Sequence, residues 1–98
     1  MVSVLAGGKE GFRDDILANA CFQNPQGVAV GEDGNVYVAD TGNSAVRVIA
    51  GGEVKTLITC GAENTWPVAP IALTPYNGGL AVVDAFSGVV FRMPYPTN

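Results

Sequence analysis

The amino-acid sequence repeats itself at a constant offset of 44 residues. The segment from Phe22 to Asp40 recurs, in degraded form, from Trp66 to Asp84, with no gap between the aligned positions. Self-similarity at a fixed period of roughly 40–50 residues is typical of folds built by stacking similar supersecondary units. One such unit cannot bury both of its surfaces alone, so the sequence predicts that the units pack on one another and on further partners.

Each copy has the pattern of short β-strands separated by turn residues. Asp33-Gly34 supplies the positive φ that a tight hairpin turn needs. The tail from Pro94 stops further pairing, because proline has no N–H to donate to a neighbouring strand. The predicted strands are Val2–Leu5, Val28–Val30, Val36–Ala39, Ala45–Ile49, Val54–Ile58, Ile71–Leu73, Leu80–Val83 and Val89–Met93.

Side-chain size and polarity order these strands from an inner to an outer edge. Gly27, Ala29 and Ala72 suit a crowded innermost strand, whereas the charges of Arg47 and Lys55 indicate strands that approach a wet outer edge. This gradient predicts an all-β fold made of β-propeller blades, each of four antiparallel strands.

The strand inventory predicts two blades in the chain. The first blade spans about residues 27–58, and the second spans about residues 71–93 with Val2–Leu5 as its outer strand. The pattern Val-x-x-Leu occurs both in Val2–Leu5 and in Val54–Leu57, which supports the equivalence of these two outer strands.

The stretch from Asn24 to Ile49 resembles the NHL-repeat family of β-propellers. It contains Asn24-Pro-Gln-Gly-Val-Ala-Val and Asp33-Gly-Asn-Val-Tyr-Val-Ala-Asp-Thr-Gly-Asn43, and Gly11-Phe-Arg-Asp14 fits the family's linker between blades. Ser44-Ala45 stands where the family often has a His-Arg pair. The resemblance implies a binding platform, and it also implies an alternative, because some family members are lyases or hydrolase-like enzymes that use metal-bound histidines.

The amino-acid composition argues against several classes of function. The sequence has no histidine, so it offers no imidazole for metal binding or general-base work, and we predict neither enzymatic activity nor a cofactor or metal. The five basic residues are scattered and the net charge is −4, which argues against nucleic acid as a partner. We recognise no signal peptide or membrane-spanning segment, so we predict no membrane insertion. Cys21 and Cys60 are compatible with a disulfide, although we favour buried free thiols.

Strand alternation brings the long loops to one end of the blades, and exposed loops on a rigid scaffold often carry binding residues. Asp40 and Asp84 follow strands, where we expect them to accept N–H bonds from the next turn. We expect Asp14 and Asp15 to lie in a solvated turn, with paired glycosidase acids as the less favoured interpretation. The candidate binding face comprises Phe12, Arg13, Asp14, Asp15, Thr41, Asn43, Trp66 and Phe86.

These features favour a non-enzymatic scaffold that binds proteins or ligands and assembles head to tail. A blade face is roughly 300 Å² in area, and two blades expose one such apolar face at each end. We therefore expect a homotrimer that forms a six-bladed ring, with Val2–Leu5 completing a final blade within or between chains. The alternative is a unit of a longer propeller chain, including an enzyme whose catalytic residues lie outside this sequence.

Overall fold

The computed structural model describes residues 2–59 and 68–96, which fold into two antiparallel β-sheets. Their strands are β1 (Gly27–Val30), β2 (Val36–Asp40), β3 (Ala45–Ala50), β4 (Glu53–Thr59), β5 (Pro70–Tyr76), β6 (Gly79–Asp84) and β7 (Val89–Pro94). The first sheet has the order β1-β2-β3-β4 and the second has the order β5-β6-β7, so each strand pairs with its neighbour in the chain. Seven of the predicted strands are confirmed, each within a few residues of the expected bounds.

Short turns join the strands as the sequence predicts. Gly34 has a φ of +84° between β1 and β2, and Gly78 has a φ of +77° between β5 and β6. The Asp33 carboxylate accepts a hydrogen bond from the Asn35 N–H at 3.1 Å, which fixes the first of these turns. A short 3-10 turn, Thr41–Asn43, connects β2 to β3.

The predicted outer strand Val2–Leu5 does not form within the chain, and its formation between chains stays a prediction. This segment belongs to no strand, and the Val2 side chain is 97% exposed. The Gly7 N–H donates to the Leu17 carbonyl at 2.9 Å, and the Leu17 N–H donates to the Gly52 carbonyl at 3.3 Å. The chain just after this segment is therefore joined to the first sheet, and the segment pairs with no strand of the second sheet.

The two sheets pack on each other through one face each. The shared core consists of Tyr37, Val46 and Val48 from the first sheet and Leu80, Val82 and Met93 from the second. The innermost strands approach closely, since a Cβ added to Gly27 would lie 2.5 Å from the Ile71 carbonyl oxygen. This contact explains why the innermost strand carries small residues, as the sequence predicts.

The opposite faces of the two sheets carry apolar side chains that lie outside this core. In the first sheet, Val28 pairs with Val38 and Val30 pairs with Val36, so these side chains share one face, together with Ile49. We call these five residues the first open face. The second open face comprises Ala72, Ala81, Val83 and Val90, which lie on the face of the second sheet opposite the shared core.

Candidate functional site

A polar cluster is built around Asp40, the last residue of β2, which is fully buried. Its carboxylate accepts hydrogen bonds from the Gln23 N–H at 2.8 Å and from Asn43 Nδ2 at 2.8 Å. It also accepts one from Arg47 Nη1 at 2.6 Å. The backbone N–H bond predicted for Asp40 is present, but its donor lies in the segment before the sheet rather than in the following turn.

Arg47 is the central residue of this cluster and is completely buried. Nη1 donates to Asp40 and to the Cys21 carbonyl at 2.8 Å, while Nη2 donates to the Arg13 carbonyl at 2.8 Å and to Asp14 Oδ1 at 2.9 Å. The prediction that Arg47 marks a wet outer edge is therefore wrong, because residues 9–26, the linker, fold over it. Arg47 Nε is buried with no hydrogen-bond partner among the described residues.

Two aromatic rings enclose the guanidinium of Arg47. Its central carbon lies 4.9 Å from the ring centre of Phe12 and 4.8 Å from that of Phe22, both distances typical of cation–π contacts. The sequence contains a signal for the burial of Arg47. Arg47 corresponds to the apolar Phe91 at the 44-residue offset, and the matching position in the second sheet faces inward.

Asp14 and Asp15 have different partners, and Asp14 is exposed to solvent as expected, although its carboxylate also binds the first sheet. Besides its contact with Arg47, the Asp14 carboxylate accepts hydrogen bonds from the Thr56 N–H at 3.0 Å and from Thr56 Oγ1 at 2.8 Å. The Asp15 carboxylate instead pairs with Arg13 at 2.9 Å and accepts the Ile16 N–H at 2.7 Å. Asp14 thus joins the linker to β3 and β4, while Asp15 organises the linker itself.

Asp84 ends β6 and occupies the position equivalent to Asp40. Its carboxylate accepts N–H bonds from Val68 at 3.0 Å, from Ala69 at 2.8 Å and, in the following turn, from Phe86 at 3.2 Å. Burial alone would raise the pKa of Asp84, but these three bonds and one from Ser87 outweigh burial and hold the pKa below its ordinary value. The charged carboxylate is therefore part of the folded structure.

The turn after β2 is also held by internal contacts. Thr41 Oγ1 donates to the Pro70 carbonyl at 2.6 Å and so connects the first sheet to the second. Asn43 Nδ2 donates to the Gly11 carbonyl at 2.9 Å. Five of the predicted binding residues, namely Phe12, Arg13, Asp14, Asp15 and Asn43, are thus brought together, and they hold the linker on the first sheet.

The remaining predicted residues differ in their surroundings. Phe86 lies in the turn between β6 and β7 and is 78% exposed, as expected for a contact residue. Cys21 carries a free thiol, although it is half-buried rather than buried. Trp66 and Cys60 lie outside the described residues.

An apolar groove of about 570 Å³ lies over the first open face. Its walls are formed by the N-terminal segment, by Phe22 and by the strands of the first sheet. The large apolar residues in its lining include Val4, Leu5, Phe22, Val28, Val36 and Ile49. This surface is suited to another apolar sheet rather than to a small polar ligand.

Residues 2–59 and 68–96 contain neither a candidate metal site nor a candidate membrane-spanning helix. Histidine, cysteine and acidic side chains form no group of three or more that could hold a metal ion there. Within the same residues, no helix has the length and apolar character needed to cross a membrane.

The fold is thus all-β, with two antiparallel sheets of four and three strands that are consistent with β-propeller blades. Residues 22–49 match the family model of the NHL repeat. This match confirms the resemblance drawn from the sequence.

Comparison with a solved structure supports the fold. A protein of unknown function from Bacteroides thetaiotaomicron VPI-5482 matches with a TM-score of 0.72 and 23% sequence identity. The match covers 88% of this chain and 25% of that protein chain. At this level of identity the likeness concerns the fold alone.

A curated relative comes from a plant. The chain is 39% identical over 74 residues to the protein SUPPRESSOR OF QUENCHING 1, chloroplastic, of Arabidopsis thaliana. The match covers 72% of this chain but 7% of the relative. The chain therefore spans a small part of the length of that protein.

Proposed function

We propose that this chain is a pair of β-propeller blades that serves as a non-enzymatic scaffold for binding proteins or ligands. In this proposal the first sheet is a complete blade, and the second sheet is a blade that still requires its outer strand. One observation carries the proposal: each sheet buries one apolar face in the shared core, and its opposite face carries exposed valines, Val28 and Val30 in the first sheet and Val83 and Val90 in the second.

The exposed fractions of two valines at equivalent positions of the repeat show that one face is covered and the other is not. Val46 is fully buried in the shared core, whereas Val90, its counterpart at the 44-residue offset, is 65% exposed. On the first open face, Val28 and Val30 are exposed as well. Each open face has the composition of a blade-to-blade contact, and a further blade on each would bury it.

Head-to-tail stacking is the geometry that these faces favour. The second open face of one pair would cover the first open face of the next, as the first sheet covers the second within the chain. A heterologous contact of this kind closes into a ring when the rotation between units allows it. We expect three chains in a six-bladed ring, or further blades from the same polypeptide if the chain is part of a longer protein.

Two features support a binding scaffold rather than an enzyme. The charged cluster around Arg47 is occupied by internal hydrogen bonds, and the sequence supplies no histidine. The linker, the Thr41–Asn43 turn and the exposed turn at Phe86 lie at one end of the sheets. Loops presented in this way by a rigid scaffold are the usual position of binding residues.

Sedimentation velocity over a concentration series tests the proposal. We expect the unaltered chain to sediment as a multimer and Val90→Lys, which places a charge on the second open face, to sediment as a single chain. Ser87→Lys is the matched control, because it adds the same charge in an exposed turn beside that face. Equal sedimentation of Val90→Lys and the unaltered chain would contradict the proposed use of the open faces between copies.

A further inference from the structure

We propose that Asn77, in the turn between β5 and β6, is a site of spontaneous deamidation, where the side-chain amide is lost and an aspartyl or isoaspartyl residue forms. The modification needs neither a partner chain nor a bound ligand, so it goes beyond the proposed scaffold. Its co-reactant is water.

The sequence places a glycine directly after Asn77, and no other asparagine of the chain is followed by glycine. Asparagine deamidates when the backbone nitrogen of the next residue attacks the side-chain carbonyl carbon, and a side chain on that next residue obstructs the attack. Gly78 has no side chain, and a Cβ added there would meet no atom of a non-neighbouring residue within 4 Å. The attacking nitrogen therefore lies in open space.

Both reacting groups are exposed at the tip of the hairpin. The φ angles of +46° at Asn77 and +77° at Gly78 belong to a tight two-residue turn. Among the described residues, neither the Asn77 side-chain amide nor the Gly78 N–H has a hydrogen-bond partner. The side-chain amides of Asn35 and Asn43, by contrast, are held by hydrogen bonds. The structure thus leaves Asn77 free to react and restrains these two asparagines.

The guanidinium of Arg92 acts on the peptide group that joins Asn77 to Gly78. Its Nη2 donates a hydrogen bond to the main-chain carbonyl oxygen of Asn77. The Gly78 nitrogen belongs to the same peptide group, and it attacks after losing its proton, when negative charge spreads onto that oxygen. A positive group at the oxygen stabilises the anion, so Arg92 should speed the attack.

The atoms balance over two steps without any oxidation or reduction. First, a bond forms between the Gly78 nitrogen and the Cγ atom of Asn77. The side-chain amide group leaves with the proton from that nitrogen as ammonia, and a cyclic succinimide remains. Water then opens the succinimide at either of its carbonyl groups, which yields an aspartyl or an isoaspartyl residue at position 77.

The isoaspartyl product alters a hairpin that leads into the shared core. Its main chain runs through the Cβ of residue 77, so the turn between the paired residues Tyr76 and Gly79 gains a backbone carbon. Turn length fixes the register of a hairpin, and the next residue, Leu80, is fully buried in the shared core. We therefore expect the isoaspartyl product to loosen the second sheet, whereas the aspartyl product adds charge alone.

Incubation of the folded chain at mildly alkaline pH, followed by mass spectrometry of its peptides, tests the modification. The peptide that contains Asn77 should exchange its amide for an acid faster than the peptides that contain Asn35 and Asn43. In Asn77→Gln this reaction should be slow, because the longer side chain cyclises less readily. Equal rates at the three asparagines would overturn the proposal.

The variants Arg92→Met and Arg13→Met separate a chemical role of Arg92 from a structural one. Arg92→Met should slow deamidation of Asn77 by about threefold, the size expected for loss of an exposed charge interaction. Arg13→Met, which removes the same charge from the linker, should leave the rate unchanged. If Arg92 only held the turn in place, its loss would loosen the turn and speed the reaction. A rate in Arg92→Met equal to or above that of the unaltered chain would therefore overturn its role.

Urea unfolding before and after the incubation tests the effect on the second sheet. The urea midpoint of the unaltered chain should fall as isoaspartate accumulates, whereas that of Asn77→Gln should stay at its initial value. Freshly prepared Asn77→Asp, which carries the charge without the extra backbone carbon, should unfold nearly as the unaltered chain does. An equal fall in the unaltered chain and in Asn77→Gln would overturn the connection between the turn and the core.

Discussion

Arg47→Met is the substitution that tests the structural role of the polar cluster most sharply. Methionine has nearly the length of the arginine stem and would still contact Phe12 and Phe22, but it removes the charge that Asp40 faces at 2.6 Å. Both Arg47 and Asp40 are fully buried, so solvent cannot replace the lost partner. The variant thus leaves an uncompensated carboxylate in the interior.

The expected loss of stability can be worked from these contacts. Removing one partner of a buried ion pair costs about 3–5 kcal/mol. Two cation–π contacts contribute about 0.5–1 kcal/mol each, and sulfur–aromatic contacts of methionine recover a similar amount. We therefore expect Arg47→Met to lower the free energy of unfolding by about 3–5 kcal/mol, against about 5–15 kcal/mol for an entire domain.

Urea unfolding followed by circular dichroism measures this loss. Arg92→Met is the matched control, since Arg92 is exposed and its replacement should change stability by less than about 0.5 kcal/mol. The double variant Arg47→Met/Asp40→Asn should be more stable than Arg47→Met alone, because it neutralises the orphaned carboxylate. A loss for Arg47→Met no larger than that for Arg92→Met would refute the reasoning.

Three further predictions follow from other residues. Because the pKa of Asp84 is lowered in the folded protein, its charged form stabilises the fold at pH values above the ordinary pKa of aspartate. This contribution disappears as the pH falls through the folded-state pKa of Asp84. The urea midpoint of the unaltered chain should therefore fall more steeply on acidification than that of Asp84→Asn. Gly42→Ala should lower the free energy of unfolding by roughly 1–3 kcal/mol, because its new Cβ would lie 2.5 Å from the Gln23 carbonyl oxygen. A melting temperature equal to that of Ser87→Ala would contradict this prediction. Burial and the hydrogen bond to Asp33 raise the pKa of Tyr37, so this residue should give the last step of a tyrosine titration followed by ultraviolet absorbance. That step should be missing in Tyr37→Phe and present in Tyr76→Phe.

The features that could be predicted from the sequence are those fixed by local pattern. Alternating apolar residues and turns such as Asp33-Gly34 specify hairpins, and consecutive hairpins specify the strand order of both sheets. Gly27 at the innermost strand was predictable for the same reason, since a repeated unit must approach its neighbour closely there. The 44-residue offset alone places the two sheets in correspondence.

The polar cluster could not be predicted in the same way, because it depends on how the linker folds. The positive charge of Arg47 suggested a solvated strand, yet carbonyls of Arg13 and Cys21 and the carboxylates of Asp14 and Asp40 surround it. Those groups are 7 to 34 residues away along the chain. The 44-residue offset to Phe91 indicates that position 47 faces inward, but it does not identify these partners.

The segment Val2–Leu5 shows that a strand-like sequence pattern does not identify the strand's neighbour. Its pattern matches an outer strand, but pattern alone does not say whether the chain can bring the segment to an edge. The bond between Gly7 and Leu17 holds it beside the first sheet instead. The segment therefore forms no strand within the chain, because a strand-like pattern does not by itself supply a neighbouring edge.

The stoichiometry of the assembled protein tests the central claim most directly. Native mass spectrometry of the unaltered chain, at concentrations where sedimentation shows a multimer, counts the chains in each particle. Three chains per particle, with no larger species growing as the concentration rises, would agree with two blades per chain in a closed ring of six. Single chains at every concentration, or an open series of ever larger particles, would contradict that ring.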